Sequence, residues 1–268
     1  MKNFALVLGG GGAKTFSHLG VFDALKENNL KPELLVTSSM GSLFGYFIAN
    51  EIDTGTIKEK FYSKLNRIRL MRPTTKKGGI ISQTHIKRII DSLCDEKIEN
   101  TKIRLIITAT DIVNGKLVLL KEGDPKKAIL ASSAYPGIYP PIESENTLLV
   151  DSGVLNNVPA DIAKREIKSG KVLSINLDGK WDKNIEHYNR STGMIHKAVY
   201  LPIVLRREEI CEKYSDFTIR PYDDTIFSFG SWFEIFSFYR ANKMEEFYQR
   251  GYDYTKDHIE DIKRALKD

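Results

Sequence analysis

A short apolar segment that ends in small residues and opens directly into a helical pattern most constrains how this chain can fold. Residues 34–45 read LLVTSSMGSLFG, and Ser39 lies where the predicted strand turns into the predicted helix. A serine on such a turn projects its hydroxyl out of the sheet, and the next backbone N–H groups face the atom that the hydroxyl would attack. The pattern is one residue away from G-x-S-x-G, because Thr37 occupies the first glycine position. Small residues before a helix also fit a simple N-cap cluster, so this segment alone leaves both interpretations open.

A second strand-to-helix turn contains four consecutive glycines. The apolar segment 3–8 runs into Gly9-Gly10-Gly11-Gly12-Ala13-Lys14, and a helix is predicted over residues 16–27. Glycines allow positive φ and a close approach of the backbone to a bound group. The N–H groups at a helix start favour an anion. The turn therefore fits a phosphate, or equally the oxyanion of an ester under attack.

A third segment delivers an acid from the end of a strand. Residues 147–150 form a short apolar pattern that leads into Asp151-Ser152-Gly153, and Asn156-Asn157-Val158-Pro159 follows. Catalytic groups of α/β sheets collect at the carboxyl ends of strands. Asp151 also fits the ordinary role of a turn former. Its function therefore depends on the other two segments.

Strand and helix patterns alternate along the chain of 268 residues. Further strands are predicted over 103–109, 116–121 (a hairpin partner), 172–177 and 217–220; further helices over 42–51, 56–65, 83–93, 126–133, 160–167, 191–214 (interrupted at Pro202) and 242–266. This alternation predicts one α/β domain over residues 1–268, with a mostly parallel central sheet flanked by helices.

The segment 179–268 is predicted to form a helical, aromatic-rich portion of the same domain. Its aromatic cluster comprises Phe227, Phe229, Trp232, Phe233, Phe236, Phe238, Tyr239, Phe247 and Tyr248. Part of the cluster has helical spacing, which is typical of core packing against a sheet. Its density also fits the wall of an acyl-chain pocket, an interfacial patch or a subunit contact, and all four interpretations stay open.

Charge and cysteine content restrict the partners and the compartment. Forty Lys and Arg against 35 Asp and Glu give a net charge of +5, which a solvated surface explains. We expect no nucleic-acid partner, and leave open transient contact with a membrane surface and homo-oligomer formation. No apolar run is long enough to span a membrane, and the first apolar stretch is too short for a secretory signal. Cys94 and Cys211 lack metal-ligand spacing, so we expect a cytoplasmic protein, with peripheral membrane association left open.

Together, these segments resemble the patatin-like phospholipase family. The resemblance is carried by residues 9–14, 37–41, 131–141 (ASSAYPGIYPP) and 151–153 with 157–159; it spans about residues 4–177, with a looser echo at 250–252. It implies a three-layer α/β/α fold and a lipid-degrading hydrolase that cleaves acyl esters as a phospholipase A, lysophospholipase or carboxylesterase. It also implies a serine–aspartate dyad, and neither a metal nor an organic cofactor.

The resemblance assigns roles to particular residues. By position, Ser39 matches the nucleophile and Asp151 its base. Four backbone N–H groups match the oxyanion hole, those of Gly10, Gly11, Gly12 and Met40. Three further residues, Thr37, Gly41 and Gly153, belong to the turns that hold the dyad. Because an exposed aspartate is a feeble base, we expect burial to raise the proton affinity of Asp151.

Three positions depart from the family pattern. Thr37 replaces a glycine, so its branched side chain must find room in a turn that is then strained or slightly opened. Ser152 follows the aspartate where a glycine is usual, and Lys14-Thr15 stands where arginine and glycine are common. These departures motivate an alternative, a catalytically weak or inactive member that binds lipid or a partner protein.

Two further alternatives concern nucleotides and histidines. A P-loop aligned on Lys14-Thr15 requires glycine at Leu8 and at Ala13, and both fail; a dinucleotide pattern starting at Gly9 meets Lys14 in place of its third glycine. Nucleotide binding is therefore the less favoured function. His187 and His196 follow the acid in chain order but fit solvated surface positions, and His18 fits helix packing or capping.

Overall fold

Apolar strands and helices alternate along the residues that this computed structural model describes, which are 3–65, 73–75, 78–93, 95–181, 191–227 and 241–267. The strands are β1 (Phe4–Leu8), β2 (Leu34–Thr37), β3 (Arg104–Asp111), β4 (Lys116–Leu120), β5 (Ile142–Ser144), β6 (Thr147–Val150), β7 (Lys171–Ile175), β8 (Lys180–Trp181), β9 (Phe217–Ile219) and β10 (Ile226–Phe227). The helices are α1 (Ser17–Glu27), α2 (Gly41–Ala49), α3 (Thr54–Leu65), α4 (Thr84–Ile90), α5 (Pro125–Ser132), α6 (Ala160–Ile167), α7 (Ser191–Tyr214), α8 (Ala241–Asp257) and α9 (Ile259–Ala265).

The main sheet follows the order β5-β6-β3-β2-β1-β7-β9, and β4 pairs with β3. The strands from β3 to β9 in this order are parallel, whereas β4, β5 and β6 pair in antiparallel fashion. Side chains of β1 alternate between two cores: Phe4, Leu6 and Leu8 pack with residues of α1 and α2, and Ala5 and Val7 pack with residues of α6. Helices therefore cover both faces, and the predicted α/β fold is confirmed.

The unequal lengths of β2 and β3 bring two chain ends together. The last residue of β2, Thr37, lies opposite Ile107, but β3 continues to Asp111. From Ile107 onwards β4 occupies one edge of β3, so β2 lies on the other edge. At Thr110 and Asp111, β4 pairs with one edge of β3, and β6 pairs with the same two residues. Strand β6 must therefore pair with the other edge, which is the edge that β2 occupies. The strands β2 and β6 therefore meet end to end, and Asp151 follows directly.

The C-terminal portion contacts the helix that follows the glycines. At the crossing of α1 and α8 an added Cβ on Gly20 would lie 2.1 Å from the Tyr248 carbonyl oxygen. The Ser17 hydroxyl is 2.8 Å from both the Tyr222 hydroxyl and the Phe247 carbonyl oxygen. Only the absence of a side chain allows the two helix backbones to approach so closely.

Most predicted elements form within a few residues of their expected bounds, including the β3–β4 hairpin. Helix α7 runs unbroken through Pro202, whereas the predicted helix over 242–266 is divided near His258, whose Nδ1 lies 2.8 Å from the Tyr254 carbonyl oxygen. Of the aromatic cluster, Phe247 is in the core and Tyr248 packs against it; the members at positions 229–239 lie outside the described residues. No described helix has the length and apolar character needed to cross a membrane.

Candidate active site

The strand-to-helix turn after β2 holds Ser39 in a left-handed backbone conformation, with φ of 52°. Helix α2 begins two residues later at Gly41, where an added Cβ would lie 2.6 Å from the Leu8 carbonyl oxygen. Gly41 therefore allows α2 to start directly against the end of β1. A left-handed non-glycine residue costs about 1–2 kcal/mol and needs support from its surroundings. The turn thus has the geometry of a nucleophile elbow.

The end-to-end meeting of β2 and β6 places Asp151 directly against this serine. The Ser39 hydroxyl donates a hydrogen bond of 2.7 Å to Asp151 Oδ2. The other carboxylate oxygen, Oδ1, accepts a hydrogen bond of 2.8 Å from the Gly153 N–H. The backbone N–H of Asp151 donates to the Ala134 carbonyl oxygen over 3.0 Å. Each atom of the acid that faces the elbow is therefore held in position.

Burial gives Asp151 an unusual proton affinity. Its exposed fraction is only 3%. Desolvation raises the pKa of its carboxyl group to about 6, although the hydrogen bonds from Ser39 and Gly153 oppose the shift by stabilising the charged form. The carboxylate is therefore mostly ionised at neutral pH, yet it is a much stronger base than an exposed aspartate.

Two helix starts that lack a side-chain cap directly follow the turns that contain Gly10 and Ser39. The N-cap residues of α2 and of the 3-10 helix Gly12–Phe16 are Met40 and Gly11, and neither start is capped by a side chain. In the described part of the chain the N–H groups of Gly11 and Met40 have no acceptor, and Gly12 opens its helix, where N–H groups are left over. Such N–H groups attract negative charge.

Gly10 differs from the other predicted oxyanion donors. Its N–H already donates to the Asn157 carbonyl oxygen over 3.0 Å, so this group is not free to bind an oxyanion. An added Cβ on Gly10 would lie 2.8 Å from Ser39 Cβ and 2.2 Å from Asn157 Oδ1. Gly10 therefore contributes close approach of the turn to the serine, and its predicted role as a donor needs correction.

The branched side chain at Thr37 is accommodated by a glycine in the neighbouring helix. Thr37 is fully buried, and its hydroxyl donates to the Ile106 carbonyl oxygen over 3.3 Å. An added Cβ on Gly45 would lie 2.3 Å from Thr37 Cγ2, so the methyl group fills the space that Gly45 leaves. The substitution of the first elbow glycine therefore keeps the contact between Ser39 and Asp151.

A group of buried serine hydroxyls surrounds the elbow, and sequence reasoning assigned it no role. The Ser39 N–H donates to Ser152 Oγ over 2.8 Å. Ser152 Oγ also lies 2.7 Å from Ser38 Oγ, and the Ser38 hydroxyl is 3.2 Å from the Asn156 carbonyl oxygen. The only signal in the sequence was the departure from glycine at position 152.

His18 and Asn157 both form hydrogen bonds with the backbone of the glycine turn. His18 Nε2 lies 2.8 Å from the Gly9 carbonyl oxygen. Complete burial lowers the pKa of His18 to about 4, and the hydrogen bond with Gly9 opposes this shift only in part. A neutral imidazole facing a carbonyl must carry its proton on Nε2. His18 is therefore a packed, neutral donor, as the helix-packing interpretation predicts.

Comparison with known proteins bears on the same segments. Residues 6–164 match the family model described as patatin-like phospholipase. An uncharacterized NTE family protein of Mycobacterium tuberculosis is 33% identical over 181 residues, which are 65% of this chain and 49% of that protein. Patatin-like phospholipase domain-containing protein 6 of Homo sapiens is 31% identical over 201 residues, 71% of this chain and 14% of that protein.

A third relative, lysophospholipase NTE1 of Candida glabrata, is 31% identical over 161 residues, 58% of this chain and 9% of that protein. The chain thus spans about half the length of the first of these relatives and much less of the others. The family match includes the glycine turn, the elbow and Asp151, and it covers more than half of the chain. This protein therefore belongs to the patatin-like phospholipase family.

Proposed function

We propose that the chain is a serine hydrolase that cleaves acyl esters of lipids with Ser39 as nucleophile and Asp151 as its base. The observation that carries the proposal is the hydrogen bond of 2.7 Å between the Ser39 hydroxyl and a carboxylate that is almost completely buried. A serine hydroxyl needs an adjacent base to become a good nucleophile. The pKa of Asp151, raised to about 6 by burial, suits that task near neutral pH.

The proposed reaction has two steps. Ser39 Oγ attacks the acyl carbonyl carbon while its proton moves to Asp151, and the proton then passes to the alcohol that leaves. In the second step water attacks the acyl-serine ester, Asp151 takes a proton from that water, and the proton returns to Ser39 Oγ as the fatty acid departs. The same carboxylate acts as base and then as acid in each step.

The oxyanion of each step needs donors that are already oriented. We assign this role to the N–H groups of Gly11, Gly12 and Met40, which lie at the two uncapped helix starts. Removing one preorganised donor of this kind raises a barrier by about 3–4 kcal/mol. The substrate class rests on family membership and on the lysophospholipase name of the Candida glabrata relative.

A lipid mixture tests the proposal. Wild-type protein and Ser39→Ala are incubated with phospholipids and lysophospholipids, and released fatty acids are identified by mass spectrometry. We expect release from the wild type and none above background from Ser39→Ala. Ser133→Ala is the matched control, because Ser133 is also a buried serine but its hydroxyl donates to the Ile129 carbonyl oxygen. Equal release from wild type and Ser39→Ala would contradict the proposal, and release at background level from both would favour a non-catalytic lipid-binding protein.

A further inference from the structure

The link between the elbow and the acid-bearing segment is double. Ser39 Oγ contacts Asp151 Oδ2 at 2.7 Å, and the backbone N–H of Ser39 contacts Oγ of the next residue, Ser152, at 2.8 Å. Ser152 is completely buried, so no water competes for its hydroxyl. The first contact involves the groups that react, whereas the second contains no reacting group.

The hydrogen-bond directions around Ser152 are fixed by the supply of donors. The Ser39 N–H can only donate, so Ser152 Oγ accepts from it. The Asn156 carbonyl oxygen can only accept, so the Ser38 hydroxyl that contacts it donates. Because the Ser38 proton is used in that hydrogen bond, the contact of 2.7 Å runs from the Ser152 hydroxyl to Ser38 Oγ, and Ser132 Oγ lies farther from Ser152 Oγ, at 3.4 Å. The three hydrogen bonds form one directed chain from the elbow N–H to a backbone carbonyl.

This series of three hydrogen bonds compensates for two weaknesses of the elbow. Ser39 has a left-handed backbone, φ 52°, which the surroundings must enforce. Its hydrogen bond to Asp151 also disappears whenever Ser39 Oγ carries an acyl group, because that oxygen then has no proton to donate. The hydrogen bond to Ser152 involves only the backbone N–H of Ser39 and persists in both states.

We infer that Ser152, through its hydroxyl and that of Ser38, is a positioning residue that holds Ser39 in place during ester hydrolysis. The inference rests on the proposed function of Ser39 and Asp151. A serine at position 152 therefore accepts a hydrogen bond from the Ser39 N–H that a glycine there could not accept. A misplacement of about 1 Å at a reacting group costs on the order of 100-fold in rate, so we expect Ser152→Ala to lower kcat by at least about tenfold with little change in KM.

Kinetics on a short-chain soluble ester are combined with hydrogen exchange of the Ser39 amide. The variants are Ser152→Ala and Ser38→Ala, which removes only the next hydroxyl and should have a smaller effect in the same direction. Ser174→Ala is the matched control: Ser174 is fully buried, and its hydroxyl lies 2.7 Å from that of Ser215. We expect lower kcat, an unchanged acid limb near pH 6 and faster Ser39 amide exchange in Ser152→Ala, with none of these changes in Ser174→Ala.

The outcomes separate the two proposals. An active wild type with normal kcat and normal amide exchange in Ser152→Ala would overturn the positioning role and leave the proposed function intact. A loss of kcat accompanied by an equal loss in Ser174→Ala would also overturn it, because a general effect of removing buried hydroxyls would explain both. A wild type that is inert towards every ester would overturn the proposed function and the positioning role together.

Discussion

Two buried carboxylates lie where the parallel and antiparallel parts of the sheet meet, and their surroundings differ sharply. Asp111 ends β3 with an exposed fraction of 2%, and Asp151 follows β6 with 3%. Asp111 accepts hydrogen bonds from the N–H groups of Val113 and Asn114, from the Asn114 side-chain amide and from the Thr147 hydroxyl. Among the described residues, Asp151 accepts two, from the Ser39 hydroxyl and the Gly153 N–H.

Hydrogen bonding and desolvation together give the two acids opposite properties. The hydrogen bonds to Asp111, that of Thr147 foremost, lower the pKa of its carboxyl group to about 2. Desolvation dominates at Asp151 and raises the pKa to about 6. The two acids therefore differ in their dominant influence, which is hydrogen bonding at Asp111 and desolvation at Asp151. Asp111 stabilises the β3–β4 turn, whereas Asp151 keeps a raised proton affinity beside Ser39.

Substituting each acid by its amide gives the largest expected difference. We expect Asp151→Asn to lower kcat for ester hydrolysis by about 10⁴-fold, the loss found when the acid of a serine triad is replaced by its amide, because an amide cannot take the Ser39 proton. Asp111→Asn should stay within about threefold of wild type, since Asp111 contacts neither Ser39 nor Asp151 in the described hydrogen bonds. Turnover of a chromogenic ester measures both. Near-normal turnover by Asp151→Asn would remove the distinction between the two acids.

The pH dependence of catalysis should follow Asp151 alone. Because its carboxylate must be ionised to accept a proton, and its pKa is raised to about 6, kcat/KM should rise about tenfold between pH 5 and pH 7. The same acid limb should remain in Asp111→Asn, whose altered group is already ionised throughout this range. A flat profile from pH 5 to pH 7 would show that the group which limits activity is not this carboxyl.

The substitutions Asp151→Asn and Asp111→Asn should change the stability of the fold in opposite directions near neutral pH. The folded-state pKa of Asp151 lies above its ordinary value of 3.8, so the free energy of unfolding falls as pH rises from about 4 through 6. Asp151→Asn removes a penalty on the order of 2 kcal/mol, and its Tm should exceed that of wild type at pH 8 but not at pH 4. The folded-state pKa of Asp111 lies below 3.8, so its contribution is present at neutral pH and is lost as pH falls towards 2.

Differential scanning calorimetry between pH 3 and pH 8 separates these cases. Asp111→Asn should unfold at a lower temperature than wild type at neutral pH, with the gap narrowing in acid. Asp151→Asn should show the reverse order at pH 8. A change in Tm in the same direction for both variants at pH 8 would contradict the assignment of different environments to the two acids.

Removing one donor from Asp111 should give the smallest change. Thr147→Val keeps the shape of the side chain and deletes the hydroxyl that contributes most to lowering the Asp111 pKa. We expect a decrease in Tm of about 2–4 °C and an unchanged kcat. NMR titration of the Asp111 carboxyl should show its pKa moving upwards. An unchanged titration would mean that the remaining donors of Val113 and Asn114 hold this acid ionised without the Thr147 hydroxyl.

Local patterns were enough to predict most of the elements and to single out Ser39 as a candidate nucleophile. The apolar runs before Gly9 and before Ser39 end in residues that only tight turns favour, so their positions follow from short-range chemistry. The α/β alternation in turn fixes a largely parallel sheet. The family resemblance added Asp151, which has no distinctive local signal.

Features that depend on pairing between distant segments could not be read in this way. That β6 runs against β2 along the same edge of β3 follows from the extra length of β3, and strand register of this kind has no local signature. The hydrogen bond from the Gly10 N–H to the Asn157 carbonyl oxygen joins residues that are 147 positions apart in the sequence. The packing of the Thr37 methyl group into the space beside Gly45 and the hydrogen bond from the Ser39 N–H to Ser152 Oγ are likewise tertiary contacts.

The most direct measurement is the rate at which a fluorophosphonate modifies Ser39, followed by mass spectrometry of the modified peptide in wild type and Asp151→Asn. If Asp151 activates the serine hydroxyl, wild-type labelling should be confined to Ser39 and should rise with pH through about 6. Folded Asp151→Asn should then be labelled at least about 100-fold more slowly. Equal labelling rates for the two proteins, or labelling of another serine, would contradict the shared proton between residues 39 and 151.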